Sequence, residues 1–408
     1  MKYFLKFLVV VFIFVSFTFT PFEAYADDFI EDVESISASA ENQKSIDFEI
    51  FSKCAIVYER NSKQILYDKN IHEKVPMAST TKIMTCILIL ENCDLEAITS
   101  VSQTAASTIG SRLGLTVNDS ISIKDLLYGL MLCSGNDAAV CLAEACSGSV
   151  DDFAALMNSK ADELGLSSTN FVTPHGLDND NHFTTAYDFA ILTDYAIKNP
   201  LFKQIVGTKY YTVSINGNTK QIHNTNELLG SISGVYGVKT GYTSKAGRCL
   251  VSAVARDNLD IIVIVFGADT KNIRNSDSIK LINYVFSNYE AFDIKTLILD
   301  KYSEYQSYYL PYCSINKSFD SLETHLQDFD TEFFPVKKSE NRISFASLTT
   351  FDLDSPIDPG HVVAVIDVWV DNSKIYSVNI YSSAYIKRKD AIDYILFFFL
   401  QYKNFYKL

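Results

Sequence analysis

The sequence predicts an α+β fold in which helices pack on an antiparallel sheet and a smaller β-rich domain follows. Three apolar runs, at 235–243, 249–255 and 259–266, are joined by short connections, which is typical of an antiparallel meander. The segment at 276–289 carries apolar residues at the helical period. Beyond about residue 292 the sequence favours β-structure. At 408 residues the chain is long enough for two domains with sizeable cores.

The N-terminal region indicates an exported protein. Lys2 and Lys6 precede an apolar core at 7–19, and Ala24-Tyr25-Ala26 has the small-x-small form of a cleavage site. We expect residues 1–26 to be a cleaved signal peptide; the alternative, an uncleaved anchor, is disfavoured because the core is short for a membrane span. The segment 27–46 is acidic and serine-rich, as flexible spacers are. The protein is therefore expected outside the cytoplasm, attached to the outer face of the cytoplasmic membrane or secreted.

The first domain is expected over residues 47–291. Ahead of the meander it contains a hairpin and four helical stretches, each bounded by capping or breaking residues. In chain order these lie at 51–58 paired with 64–67, at 83–90, at 125–145 with a break near 133–137, at 150–166, and at 184–197 before Asn199-Pro200.

The second domain is expected over residues 292–386 and ends in a hairpin. Its strands, at 361–370 and 375–386, flank the turn Asp371-Asn372-Ser373-Lys374. The tail at 387–408 begins with three basic residues and continues as an apolar, aromatic segment too short to span a bilayer. It predicts a helix in the membrane interface or, alternatively, a terminal helix docked on the β-rich domain.

The composition narrows the possible partners. A net charge of −14 argues against nucleic acid, whose phosphates require a basic surface. The 8 cysteines form no C-x-x-C pair and lie mostly in apolar segments, so buried free thiols are expected. The 6 histidines are scattered without the spacing of a metal site. We expect neither a metal nor a cofactor.

Ser79 stands three residues before Lys82, ahead of an apolar run. Ser79, Thr80 and Thr81 can each cap a helix start, and positions i and i+3 share a helix face, which brings the amine close to the hydroxyl. A desolvated amine can be the base that activates a hydroxyl nucleophile. The pair alone is weak evidence, because a helix cap explains most such pairs and a second match occurs at 314–317.

Two further motifs strengthen the case for Ser79. Ser134-Gly135-Asn136 falls in the break between helical stretches, and Lys239-Thr240-Gly241 falls on a predicted strand. Ser-x-Asn is uninformative by itself, since it also occurs at 168–170, 214–216 and 314–316. The order and setting of the three motifs distinguish Ser79 from the match at 314–317, which has no Lys-Thr-Gly after it.

Motifs in this order occur in penicillin-binding proteins and class A β-lactamases. The chain resembles the serine D-alanyl-D-alanine carboxypeptidases, the low-molecular-weight penicillin-binding proteins, in the segments 75–82, 133–138, 173–177 and 182–186. The resemblance implies a β-lactamase/transpeptidase-like catalytic domain followed by a smaller β-rich domain. It also implies peptidoglycan stem peptides ending in D-Ala-D-Ala as substrates and β-lactam antibiotics as covalent inhibitors.

The resemblance assigns chemical roles to four residues. Ser79 attacks the carbonyl between the two D-alanines, and neutral Lys82 takes its proton. A nearby cation such as Lys239, together with partial burial, favours the neutral amine. Ser134 and Asn136 relay a proton to the leaving amine and hold the substrate amide.

The strand motif is implied to bind substrate. Lys239 and Thr240 face the terminal carboxylate, and Gly241 allows an extended substrate to approach closely. The backbone N–H groups of Ser79 and Tyr242 are implied to form the oxyanion hole.

Three further residues have open assignments. Arg274 matches a family position that helps to bind the carboxylate, but an exposed, solvated arginine is the alternative. His175 and His182 could serve as bases, yet loop or packing roles are expected because Lys82 already supplies the base.

Two other functions remain as alternatives. A β-lactamase could share this fold, but Gly135 stands where those enzymes carry an aspartate, and no convincing Glu-x-x-Asn is present for a deacylating glutamate. A non-catalytic penicillin-binding scaffold, attached through its β-rich domain and tail, is disfavoured by the intact motifs.

Overall fold

The computed structural model describes residues 48–405, so the expected signal peptide and spacer lie outside the described part. The strands are β1 Cys54–Glu59, β2 Ile65–Lys69, β3 Ile98–Ser100, β4 Ser120–Ser122, β5 Tyr210–Ile215, β6 Asn218–His223, β7 Val235–Thr243, β8 Gly247–Arg256, β9 Leu259–Ala268, β10 Tyr289–Asp293, β11 Ile315–Asn316, β12 Thr324–Leu326, β13 Phe333–Lys337, β14 Ser344–Thr350, β15 Leu353–Asp354, β16 Val362–Val370 and β17 Ser373–Ser382. The helices are α1 Lys82–Asn92, α2 Gln103–Ser107, α3 Ile123–Met131, α4 Asn136–Ser147, α5 Val150–Glu163, α6 Ala186–Ile197, α7 Pro200–Val206, α8 Lys271–Asn288, α9 Ile294–Glu304 and α10 Ala391–Phe405.

A five-stranded antiparallel sheet, in the order β2-β1-β9-β8-β7, organises the first part of the chain. Its central strand β9 carries a continuous apolar run at 261–266 because both faces are covered there. One face packs against α8 around Leu281 and Val285, and the other faces the main helical core. The expected hairpin and meander are confirmed, and β7 is left as an edge strand.

The helical core surrounds α1. Residues 82–89 of α1 are all buried, which explains why apolar residues lie on every side of that stretch, with Lys82 and Thr85 as its polar members. It packs against α3, α4 and α6, so the start of α1 is held between the sheet and the other helices.

The C-terminal part has its own core. A four-stranded sheet in the order β12-β17-β16-β14 carries the expected final hairpin, and α9 packs on it. This core lies between Ile294 and Ile386. Strand β10, which pairs with β13, straddles the expected domain boundary at 291/292.

Some elements differ from the expectation. Asn199-Pro200 was expected to follow the end of a helix, which it does, but Asn199 also caps α7 by accepting from the N–H of Leu201. Proline suits the first turn of a helix, where its missing N–H is not needed. Helix α8 begins earlier than expected, at Lys271, because Thr270 caps it. The β5–β6 hairpin was missed because its strands are largely exposed and polar.

The tail forms the expected helix, α10. Most of its side chains through Leu400 are exposed, including Phe398 at 68% and Phe399 at 64%, while Phe397 stacks on Phe319 with ring centroids 4.1 Å apart. Within residues 48–405, no helix is long and apolar enough to cross a bilayer.

The cysteines are free thiols, as expected. Four are buried, three are partly buried, and Cys313 is exposed.

Candidate active site

Ser79 lies in a tight 3₁₀ turn, Ala78–Thr81, immediately before α1. The expectation that Ser79, Thr80 or Thr81 caps the helix is wrong. The hydroxyls of Thr80 and Thr81 instead donate to the carbonyls of Met77 and Ala78, and no side chain caps either the turn or α1. Ala78 adopts a left-handed backbone, with φ of 47°, a conformation that residues other than glycine rarely adopt, and it stands directly before Ser79.

Lys82 is fully buried, with 0% of its side chain exposed, and its amine meets three oxygens. Its Nζ lies 2.8 Å from Ser79 Oγ, 2.8 Å from Asn136 Oδ1 and 2.9 Å from the carbonyl oxygen of His175. The spacing of Ser79 and Lys82 thus brings their side chains together as expected.

The second motif lies between α3 and α4, close to Ser79. Ser134 has a left-handed backbone, with φ of 62°, and is buried. Asn136 is the first residue of α4, and its Nδ2 donates to the carbonyl of Ile109 at 2.7 Å, which turns its Oδ1 toward Lys82. The Asn136 side chain is therefore held by the backbone of Ile109.

The third motif lies on the edge strand β7, beside the turn that carries Ser79. A Cβ on Gly241 would lie 3.0 Å from the Ser79 nitrogen, so the strand can come this close because residue 241 is a glycine. Lys239 is buried, and its Nζ lies 3.0 Å from the carbonyl oxygen of Thr240. Thr240 Oγ1 lies 2.8 Å from Thr225 Oγ1.

A cavity of about 300 Å³, open to solvent, lies where the three motifs meet. It is lined by Ser79, Ser134, Thr225, Thr240, Gly241, Tyr242, Arg248 and Arg274. Six of these were expected site residues. The other three expected residues, Lys82, Asn136 and Lys239, are buried beside the cavity and do not line it.

Sequence reasoning missed Thr225 and Arg248. Arg248 stands opposite Tyr242 in the β7–β8 register, and its guanidinium lies 3.9 Å from the centre of the tyrosine ring. Extending the predicted strand at 249–255 by one residue toward the turn would have placed Arg248 opposite Tyr242. Thr225 lies in a connecting segment and carried no comparable signal.

Arg274 is buried, at 1% exposure, so the alternative of an exposed arginine is wrong. It stands in the first turns of α8, and its Nε donates to Asn275 Oδ1 at 3.1 Å. Glu227 accepts from Asn275 Nδ2 at 2.8 Å and lies 3.9 Å from Arg274 Nη2. Glu227 therefore helps to hold the guanidinium at the cavity wall.

His175 and His182 are buried in the loop at 171–182, which contacts the turn that carries Ser79. Burial lowers the pKa of His182 to about 4 and the pKa of His175 to about 3. Both rings are therefore neutral near pH 7. Within residues 48–405, no group of three His, Cys, Asp or Glu side chains could hold a metal ion.

Comparison with solved structures identifies the fold class. Penicillin-binding protein 5 from Haemophilus influenzae superposes with a TM-score of 0.70 at 27% identity, covering 84% of this chain and 100% of that one. The Streptomyces K15 DD-transpeptidase superposes with a TM-score of 0.58 at 32% identity, covering 60% of this chain and 100% of that one. The fold is that of the penicillin-binding peptidases.

Sequence comparison identifies the family. The family described as D-alanyl-D-alanine carboxypeptidase matches residues 37–270. The carboxypeptidase DacF of Bacillus subtilis is 40% identical over 59% of this chain and 63% of its own length. The carboxypeptidase DacA of Haemophilus influenzae is 31% identical over 86% of this chain and 91% of its own length. The chain belongs to the D-alanyl-D-alanine carboxypeptidase family.

Proposed function

We propose that this protein removes the terminal D-alanine from peptidoglycan stem peptides through an acyl-enzyme on Ser79. Ser79 Oγ attacks the carbonyl carbon of the penultimate D-alanine, the C–N bond to the terminal D-alanine breaks, and the amine leaves with a proton. Water then hydrolyses the ester and returns the free hydroxyl. β-Lactams acylate the same oxygen and block it.

The observation that carries this proposal is the set of oxygens around the Lys82 amine. Two of them, Asn136 Oδ1 and the His175 carbonyl, can only accept hydrogen bonds. A neutral amine has two N–H donors for these two carbonyls and keeps a lone pair for the Ser79 hydroxyl at 2.8 Å. Full burial also disfavours the ammonium form. Lys82 is thus suited to take the proton from Ser79.

The rest of the site complements the developing charges. Ser134, on the cavity wall, passes the proton toward the leaving amine. The N–H groups of Ser79 and Tyr242 stabilise the oxyanion. The terminal carboxylate binds near Thr240 and Arg274, where the buried Lys239 adds positive charge.

The residues that line the cavity predict slow hydrolysis of the acyl-enzyme that a β-lactam forms. Among the described residues that line it, none is a carboxylate that could activate water. This supports the carboxypeptidase proposal over the β-lactamase alternative.

A labelled penicillin tests the proposed nucleophile. The protein should become labelled at Ser79, and Ser79→Ala should abolish both the label and the release of D-alanine from a D-Ala-D-Ala peptide. Ser314→Ala, in the exposed second Ser-x-x-Lys match, is the matched control and should behave as wild type. Labelling that survives in Ser79→Ala would contradict the mechanism, and rapid penicillin turnover would favour the β-lactamase.

We also propose the division of the chain into a catalytic domain at 47–291, a β-rich domain at 292–386 and a tail at 387–408. The separate cores on either side of β10 support it. We propose export by the segment 1–26 and attachment to the membrane surface by α10, supported by the exposed aromatic side chains of that helix.

A further inference from the structure

The loop at 171–182 lies beneath the nucleophile and is closed at its base. Asn170 and Phe183 exchange two backbone hydrogen bonds, of 2.9 and 3.1 Å. Within the loop, the Pro174 carbonyl accepts from the hydroxyl of Thr85, and the His175 carbonyl accepts from Lys82. The loop therefore contacts α1 along its first turns.

One contact of this loop leads to the turn that carries Ser79. His182 Nε2 lies 2.8 Å from Thr81 Oγ1, and Thr81 Oγ1 donates to the Ala78 carbonyl at 2.8 Å. His182 Nδ1 accepts from the backbone N–H of Val172 at 2.9 Å. Because Nδ1 is an acceptor, the proton of the neutral ring lies on Nε2 and is donated to Thr81. The hydrogen bonds thus run in one direction, from Val172 through His182 and Thr81 to Ala78.

The end of this series is the residue that shapes the nucleophile turn. Ala78 holds a left-handed backbone next to Ser79, a conformation that costs free energy and needs support from its surroundings. Gly176 packs against the same atoms: a Cβ there would lie 1.8 Å from the Ala78 oxygen and 2.6 Å from Thr81 Oγ1. The Ala78 carbonyl therefore lies between the Thr81 hydroxyl, which donates to it, and the backbone of Gly176.

We propose that His182, acting through Thr81, is a positioning residue for Ser79. It orients the Thr81 hydroxyl, which holds the Ala78 carbonyl and so sets the position of Ser79 Oγ relative to Lys82 and the cavity. The inference rests on the proposed role of Ser79. We call the hydrogen bonds from His182 through Thr81 to the Ala78 carbonyl the relay. The inference predicts that loss of the relay slows attack by Ser79. It also predicts that non-covalent binding of the antibiotic before attack is unchanged.

Acylation kinetics with a fluorescent penicillin separate these two quantities. Thr81→Val removes the hydroxyl and keeps the shape, and we expect the acylation rate constant to fall roughly ten- to hundredfold with the non-covalent dissociation constant unchanged. Thr81→Ser should restore the rate. His182→Gln should slow acylation in the same way, and the double variant should be no slower than the slower single variant, because one relay is lost in each case.

Thr85→Val is the matched control. Thr85 is buried four residues after Thr81, in α1, and donates at 2.6 Å to the carbonyl of Pro174 in the same loop, outside the relay. It should lower the unfolding temperature about as much as Thr81→Val and leave the acylation rate constant near wild type.

Three results would overturn the inference: wild-type acylation by Thr81→Val, an equal loss in Thr85→Val, or additive effects in the double variant. If Thr81→Val does not fold, His182→Gln with the Thr85→Val control decides the question. Wild-type protein that is not labelled at Ser79 would instead refute the proposed function.

Discussion

Lys82 Nζ donates to Asn136 Oδ1 at 2.8 Å, and this bond joins the first residues of two helices, α1 and α4. The amide cannot turn away, because its Nδ2 is bonded to the Ile109 carbonyl. Helix N-termini carry partial positive charge and disfavour a cation nearby. The two helix N-termini therefore oppose a positive charge on the amine beside Ser79.

Replacing Lys82 tests the base. Lys82→Met keeps the length of the side chain and removes the amine, so acylation by penicillin should slow by roughly 10²- to 10⁴-fold. Stopped-flow fluorescence or gel labelling measures the rate. Lys124→Met, at a half-exposed lysine of α3, should leave it unchanged. A Lys82→Met variant that acylates at the wild-type rate would exclude Lys82 as the base.

Asn136→Asp tests the neutral state of the amine. A carboxylate 2.8 Å from Nζ stabilises the ammonium form, so the pKa of the lysine rises and the active form appears at higher pH. We expect the acid limb of the acylation rate to move up by about 1–3 pH units. An acid limb at the same pH in Asn136→Asp and wild type would mean that a group other than Lys82 controls the pH dependence of acylation.

Gly176→Ala should disrupt the site. The added Cβ would lie 1.8 Å from the Ala78 oxygen, and the residue has a φ of 87°, so the variant carries both a clash with backbone and conformational strain. Gly148→Ala is the matched control, since its φ is 82° with nothing within 4 Å.

Chemical denaturation separates the two costs. Gly148→Ala should lose about 1–2 kcal/mol of unfolding free energy from strain alone. Gly176→Ala should lose clearly more and acylate slowly. Equal losses of unfolding free energy in the two variants would show that the loop at 171–182 moves to accommodate the added Cβ at little cost.

The buried histidines should make the fold sensitive to acid. Both are neutral in the folded and the unfolded chain at pH 7. Below about 6.5 the unfolded chain takes up protons that folded His182 and His175 do not hold until about pH 4 and 3. The free energy of unfolding should therefore fall with decreasing pH in this window, by up to about 1.4 kcal/mol per unit for each histidine.

Denaturant titrations at several pH values measure this slope. His182→Gln should reduce it, whereas His223→Gln, at an exposed histidine, should not. A slope in His182→Gln equal to that of wild type would rule out His182 as a source.

Helix α10 should bind anionic membranes. Phe398 and Phe399 are exposed, and the basic residues 387–389 precede the helix. Sedimentation with phosphatidylglycerol vesicles should capture the full-length mature chain and lose the deletion of 387–408. The double variant F398E/F399E should bind weakly, and Tyr312→Glu, at an exposed tyrosine outside the helix, should bind as wild type. Equal binding by all variants would favour the docked terminal helix.

Predictions from the sequence succeeded where short-range geometry decides the outcome. The contact of Ser79 with Lys82 follows from a three-residue spacing on a helical turn. Strands β8 and β9 followed from apolar runs that both faces of a sheet require. The capping prediction failed because a hydroxyl beside a helix start can either accept from a helix N–H or donate to a preceding carbonyl. The left-handed turn at Ala78 favours donation by Thr81 to the Ala78 carbonyl.

The sequence by itself determined the three motifs, their order and the type of element that carries each, because periodicity and turn residues are local properties. Tertiary structure alone decided the burial of Arg274, the presence of Thr225 and Arg248 at the cavity, and the contact of His182 with Thr81. These relationships join segments distant in the chain. They depend on how the sheet, α1 and the loop at 171–182 pack together, and no spacing within one segment encodes that packing.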